Sequence, residues 1–282
     1  MKKKNSITGY LFLLPSLSGV FAFVLLPFID VIRRSFFSSI TEEFKGFGNY
    51  ADVIQNEAFR LAAKNTGRFL GICMPLLILL SLMIAVLMHG KFKSMNQMQF
   101  LKTAFLIPMA IPVASAALIW RIFFHNNGLI NGLLAAVGFG TKSWMDSQAA
   151  FWSLVICYIW RNIGYDIILW MAGLSAIPSS HYEAAYVDGA GQIQSFFWIT
   201  LPQLIPSFFT ISVLSFLNSF KVFRESYLVA GDYPHGSMYL LQHLFNNWFR
   251  DFSMDKMAAG AVMTAIVIFI LILFFERSER AE

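Results

Sequence analysis

Four stretches of this chain carry no Lys, Arg, Asp or Glu: residues 5–29, 69–88, 103–120 and 257–275. Each runs to ~20 residues, enough for a helix rising 1.5 Å per residue to cross a ~30 Å hydrocarbon layer. A helix on a water-soluble domain would interrupt such a run with a polar face every turn. Residues 149–177 are apolar except for Arg161 and Asp166, and residues 204–229 stay uncharged until Lys221. Only 13% of the chain is charged, against about 25% in soluble domains. Backbone groups in lipid must be satisfied within their own segment, which selects helices. The ten-residue alternation of a membrane barrel is absent.

The expected fold is therefore an all-α polytopic membrane protein. Six transmembrane helices are placed at about 8–29, 68–88, 103–124, 149–176, 203–229 and 257–275, in one transmembrane domain covering 1–282. The opening MKKK and the apolar run after it mimic a secretory signal. The run is longer than a signal core and shows no small-x-small cleavage site, so it reads as a retained first helix. Cys73 and Cys157 fall within spans and read as packing residues. Pro15, Pro27, Pro75, Pro108, Pro112 and Pro206 read as kinks whose freed carbonyls neighbouring helices satisfy.

The stretches between spans, about 30–67, 125–148 and 230–256, are too short for cores of their own and read as lids or docking loops. His235 and His243 share the last and read as solvated. Six spans put both termini on one side. Basic residues favour neither side: eight lie on the terminal side and eleven on the other, so the positive-inside rule gives no orientation.

Much chemistry is missing. The sequence has no G-x-x-x-x-G-K-[ST] phosphate loop, no H-E-x-x-H and no C-x-x-C. Nothing suggests ATP hydrolysis by this chain, a bound metal or nucleic-acid binding.

One segment breaks the apolar pattern. In "IPSSHYEAAYVDGAGQIQSFFWITLP", Pro178 ends the fourth span and Ser179 or Ser180 can cap a new helix. That helix would run from Ser180 to about Asp188 and carry Glu183 and Asp188. Gly189 and Gly191 would end it, since glycine takes the left-handed conformation that closes helices. A second short segment, 192–201, would lead to Pro202. The result is a helix–turn–helix knob in the loop 178–202. An ordinary capped linker is the plainer reading of the same residues.

Glu183, Ala184, Ala185, Gly189, Ile199, Leu201 and Pro202 fit E-A-A-x3-G-x9-I-x-L-P without a gap. That pattern resembles the signature loop of inner-membrane permeases of binding-protein-dependent ABC importers. The segments "LFLLPSLSGVFAFVLLPFIDVIRRSFF", "FLIPMAIPVASAALIWRIFF" and "FKVFRESYLVAGDYPHGSMYLLQHLFNNWF" also resemble the carbohydrate subclass. Within it the chain looks like the first of two non-identical subunits, similar to the maltose and glycerol-phosphate systems. The extra N-terminal helices and large external domain of the maltose member are missing.

The resemblance implies that the knob is a coupling helix docking on an ATPase subunit. Glu183 would be its charged contact, Ala184 and Ala185 its close-fitting face, and Asp188, Gly189 and Gly191 its turn. It places this loop and both termini in the cytoplasm of a bacterium's plasma membrane. It further implies a second homologous permease, two ATP-binding subunits and an extracytoplasmic solute-binding protein. The chain itself would need no cofactor, ATP being bound by its partners.

Tyr158, Arg161, Asn162 and Tyr165 recur at i, i+3, i+4 and i+7, so they share one face of the fourth span. A polar aromatic stripe in lipid faces a protein interior or a watery cavity. Rings beside hydrogen-bonding groups suit a sugar, so the stripe is a candidate substrate path. The alternative is that Arg161 pairs with an acid and Tyr165 packs between helices. Asp166 lies about 140° around the helix from Arg161 and need not pair with it. Asn218 and Lys221, at i and i+3 on the fifth span, either join that path or lie at the interface with Arg224 and Glu225. A self-contained secondary transporter is the competing function. It would need membrane-buried acids for ion coupling, and Asp166 is its one candidate.

Overall fold

The computed structural model describes residues 12–91 and 95–280. The N-terminal lysines, Lys93 and the expected start of the first span at residue 8 lie outside them. The described residues form helices joined by turns and irregular segments, with one isolated bridge between Phe37 and Phe44. In order the helices are α1 (Phe12–Arg34), α2 (Gly48–Gln55), α3 (Glu57–Lys91), α4 (Met95–Ala110), α5 (Val113–Phe123), α6 (Leu129–Ala136) and α7 (Ala150–Ser175). Then come α8 (Ser179–Val187), α9 (Gln192–Ser195), α10 (Ile205–Ser219), α11 (Phe223–Ala230), α12 (Leu241–Arg250) and α13 (Met254–Arg280).

Five segments are long and apolar enough to cross a membrane as continuous helices: Phe12–Arg34, Glu57–Gly90, Ala150–Ser175, Ile205–Ala230 and Met254–Phe274. The sixth, expected as one span over 103–124, is broken. Its halves, Asn96–Ala110 and Val113–Phe123, meet at 91°. Pro112 lacks the N–H that would continue the ladder, and it sits in an extended conformation (ψ 137°) as the cap of α5. The expected 30–67 loop is also partly helical. It contains α2, and α3 begins at Glu57, so Arg60, Lys64 and Arg68 extend that span.

Two π-helical turns, Phe21–Leu25 and Phe196–Thr200, each sit just before a Leu-Pro pair, Leu26-Pro27 and Leu201-Pro202. A proline ring crowds the carbonyl four residues back and leaves it unbonded, and a widened turn relieves both effects. These prolines therefore reshape their helices without ending them, and Pro202 lies inside a helical run that continues towards α10.

The chain divides into two compact units. One holds the residues up to Arg60 together with Leu244–Ile270. There the buried Asn49 amide donates to the carbonyls of Ser35 (3.0 Å) and Phe37 (2.9 Å), fixing the turn after α1. The Ser39 hydroxyl accepts from the Asp255 N–H at 2.7 Å and so caps the start of α13.

The other unit holds Leu61–His243 and the residues from Leu271 onward. Here α7 is the central helix. Phe151, Leu154 and Tyr158 pack on Phe69, Cys73 and Leu77 of α3, and Ile167, Trp170 and Leu174 pack on Ile78 and Ala85 of α3 and Ile211 of α10. Both cysteines are buried and unbridged. Helices in lipid associate through close fit and interhelical hydrogen bonds, because lipid tails are as apolar as leucine. Two glycines of α7 provide the fit. A β-carbon on Gly164 would lie 1.9 Å from the Phe105 carbonyl oxygen, and one on Gly173 would lie 2.4 Å from the Ser207 hydroxyl. The hydrogen bonds are Trp170 Nε1 to Ser81 Oγ (3.1 Å) and Ser215 Oγ to both oxygens of buried Asp166 (2.9 and 2.8 Å).

Candidate functional site: the coupling knob and the fourth span

The knob forms between the fourth and fifth spans. Its first helix, α8, starts after Pro178, whose extended conformation separates it from α7. It closes in a Schellman motif: the Gly189 N–H bonds the Tyr186 carbonyl (3.1 Å) and the Ala190 N–H bonds the Ala185 carbonyl (2.9 Å). Gly189 is left-handed, at φ 80°. Gly191 is not. At φ −74° it caps α9, and its N–H donates to Gln194 Oε1 at 2.9 Å. The expectation of two left-handed glycines is corrected to one, because a single such residue completes the reversal.

The Tyr182 hydroxyl meets Thr200 Oγ1 at 2.9 Å, and the His181 ring meets the Gln203 amide. These bonds brace α8 against the root of the fifth span. What the knob leaves uncovered is distinctive. Glu183, Ala184 and Asp188 are exposed, and so are Tyr186 (82%), Val187 (84%), Ile193 (76%) and Trp198 (82%). Between α8 and α9 lies a cavity of about 400 Å³ lined by Ala185, Asp188, Gly189 and Trp198. Apolar side chains exposed beside acids are available for contact with another surface.

The fourth-span stripe is put to other uses. Tyr158 is buried, its ring edge-on to Phe69 at 5.4 Å, so it belongs to the core and does not line a cavity. Arg161 pairs with Glu225 at 3.2 Å. Its guanidinium also donates to the Ile111 carbonyl at 3.0 Å and, at the edge of range, to the Met109 carbonyl at 3.5 Å. These carbonyls sit at the break between α4 and α5, where no continuing helix can satisfy them. Arg161 thus fastens the bend, one turn from the glycine that lets α4 approach. Asn162 and Tyr165 remain half-exposed, and Asn162 Nδ2 donates to the Tyr158 carbonyl. On the fifth span, Lys221 donates to Asn218 Oδ1 at 2.8 Å. Arg161 and Asp166 do not pair.

Residues 69–281 match the family model described as the binding-protein-dependent transport system inner membrane component. The chain belongs to this family. As an inner-membrane component of this kind it is a multi-pass membrane permease, a transport subunit and not a catalyst. It is 31% identical to a probable ABC transporter permease of Bacillus subtilis, over 98% of this chain and 92% of the relative. It is 29% identical to the trehalose/maltose transport system permease protein of Thermococcus litoralis, over 98% and 93%. The same fold occurs in the crystal structure of a bacterial ABC transporter that imports the acidic polysaccharide alginate. The TM-score is 0.82 at 24% identity, covering 99% of this chain and 96% of that one.

Three features of this permease escaped sequence reasoning. The alternative that Arg161 pairs with an acid holds, but the acid is Glu225, which the sequence offers only as an interfacial residue beside Arg224. The spacing of Glu225 from Arg161 carries no signal, because the pair forms only after two spans pack. Gly164 reads in sequence as one more small residue in an apolar run. His243, expected in solvent, is buried. Its Nδ1 accepts from the Leu240 N–H (3.3 Å) at the start of α12, and burial lowers its pKa to about 4.

Proposed function

We propose that this permease forms one half of a translocation pathway for a sugar or oligosaccharide, paired with a second, similar permease. Two ATP-binding subunits supply the energy, each receiving one knob, and the chain itself hydrolyses no ATP. An extracytoplasmic binding protein delivers the sugar, docking on the loops around 30–67 and 230–256. The knob and both termini face the cytoplasm. Glu183, Ala184, Ala185 and the turn through Asp188, Gly189 and Gly191 form the ATPase contact. Asn162 and Tyr165 are the stripe residues left to meet the sugar; Asn218 and Lys221 flank them on the fifth span.

One observation carries this reading: an acid-bearing, aromatic-rich knob, closed by a fixed turn and braced to the fifth span, stands uncovered in a chain without a phosphate loop of its own. The family's dependence on a binding protein and the sugar named for the Thermococcus relative support the substrate class. The test is reconstitution in liposomes. Uptake of radiolabelled maltose or arabinotriose is expected only when this chain, its partner permease, the ATPase pair, the binding protein and internal ATP are all present. Saturable uptake by this chain alone, indifferent to ATP, would overturn the proposal in favour of a secondary transporter.

A further inference from the structure

At the end of α7 opposite the knob, the ends of α5 and α11 with the segments that follow them, and the segment before α7, border a half-open cavity of about 330 Å³. Arg121, His125, Asn126, Asp146, Tyr233 and His235 contribute its polar lining. The walls are built and not incidental. Buried Asn131 ties two of the segments together: Nδ2 donates to the carbonyls of Asn126 (2.9 Å) and Lys142 (2.8 Å), while Oδ1 accepts from the Lys142 N–H and from Trp144 Nε1, both at 3.0 Å. The third segment follows Gly231, left-handed at φ 80°, which ends α11. Its Ser237 hydroxyl reaches the Ser147 carbonyl at 3.4 Å. Gly128 lets the chain fold back on α5, since a β-carbon there would lie 2.3 Å from the Ile122 carbonyl oxygen.

The hydrogen-bonding character of the lining follows from these contacts. His125 Nδ1 accepts from the Asn127 N–H and His235 Nδ1 from the Ser237 N–H, both at 3.2 Å. In a neutral imidazole that puts the proton on Nε2, so each ring has one N–H donor left. Arg121 and Asp146 have no ion-pair partner among the described residues, so they leave one cation and one carboxylate uncommitted. Tyr233 is 75% exposed and offers a ring face. Donors, one carboxylate acceptor and an aromatic face suit a ring of vicinal hydroxyls with an apolar C–H side. The lining charges cancel, which suits a neutral ligand. The volume is near the lower limit of small-molecule sites, ~300–1,000 Å³, which fits one ring and not a chain of them.

We propose that this cavity is an entry subsite for one neutral saccharide ring, separate from the fourth-span stripe. Asn162 lies twelve residues along α7 from Ala150, so the stripe is ~18 Å deeper along the axis. The inference rests on the sugar-importer reading, under which this end of α7 faces outward. A sugar released by a binding protein would be held here before passing inward.

The test is saturation-transfer NMR on the full chain in nanodiscs, with methyl α-D-glucopyranoside and D-glucuronate as probes. The wild type should bind the glucoside saturably and more tightly than glucuronate. Tyr233→Ala and Asp146→Ala should each weaken that binding about tenfold, the loss of a stacking or charged hydrogen-bond contact. Both side chains are exposed, so folding should persist and is checked by an unchanged melting temperature. Phe139→Ala, an exposed ring that does not line the cavity, should leave glucoside binding intact. Equal binding by the wild type and both pocket variants, no binding by the wild type, or preference for glucuronate would overturn the proposal. Uptake by the full reconstituted complex reports separately on the underlying reading: intact ATP-driven uptake without pocket binding removes this subsite alone.

Discussion

The Arg161 guanidinium joins Glu225 at 3.2 Å and, through another nitrogen, the Ile111 carbonyl at 3.0 Å. One side chain from the fourth span thereby holds the break in the third and a carboxylate of the fifth. Both members of the ion pair are largely buried, with side-chain exposures of 13% and 12%. Removing one member of such a pair strands the other, at a cost on the order of 3 kcal/mol. Arg161→Ala and Glu225→Ala should each lower the melting temperature in detergent and the amount of protein in the membrane. The exchange Arg161→Glu/Glu225→Arg should not restore stability, because a glutamate at 161 cannot donate to the freed carbonyls. Recovery in the exchanged protein would reduce the site to a simple ion pair.

Close approach at Gly164 is a separate requirement of the bend. Gly164→Ala places a methyl group against the Phe105 backbone, an overpacking that costs about 1–3 kcal/mol. Gly132→Ala, where nothing lies within 4 Å, is the control and should be neutral or slightly stabilising. The two melting curves decide the matter, and similar destabilisation in both would remove the packing argument.

His243 gives a pH signature. Its folded pKa is depressed to about 4 by burial, below the ordinary ~6.5. The folded state therefore favours the neutral ring. That contribution is whole above about pH 6.5 and is lost as pH falls from there towards 4, because the unfolded chain binds the proton first. Thermal melts across this range should show a decline that His243→Asn flattens, since Asn can still accept from the Leu240 N–H but does not titrate. An identical decline in the variant would assign the acid sensitivity elsewhere.

Asn162 and Tyr165 are the stripe residues with side chains left over for a substrate. Replacing both by Ala should lower uptake by the assembled complex and leave basal ATP hydrolysis unchanged. Impaired assembly with normal uptake per complex would make the stripe a packing surface.

Much of this architecture was legible in the sequence, because lipid imposes a crude rule: about twenty residues without charge make a helix. The runs at 69–88 and 257–275 lie inside α3 and α13, and the ends of α7 fall within a residue of those expected. The turn at Gly189 was legible for a local reason, since glycine is the residue that tolerates φ 80° after a helix. The break at Ile111-Pro112 was not. Proline kinks most membrane helices modestly, and a right-angled bend depends on whether a donor such as Arg161 can satisfy the opened carbonyls. The same limit applied to the stripe. Periodicity put Tyr158, Arg161, Asn162 and Tyr165 on one face of the fourth span, but only the packing of α3, α4 and α11 decided that Tyr158 and Arg161 are taken up and the other two are not.

The central claim is that the knob transmits ATPase motion to the membrane helices, and Glu183→Lys tests it most directly. Glu183 is exposed, so reversing its charge should leave insertion and membrane abundance normal. Co-purification of the ATPase subunits with the variant complex, measured beside ATP-driven uptake in the same preparation, should show both lost. Full uptake with the ATPase retained would contradict the account.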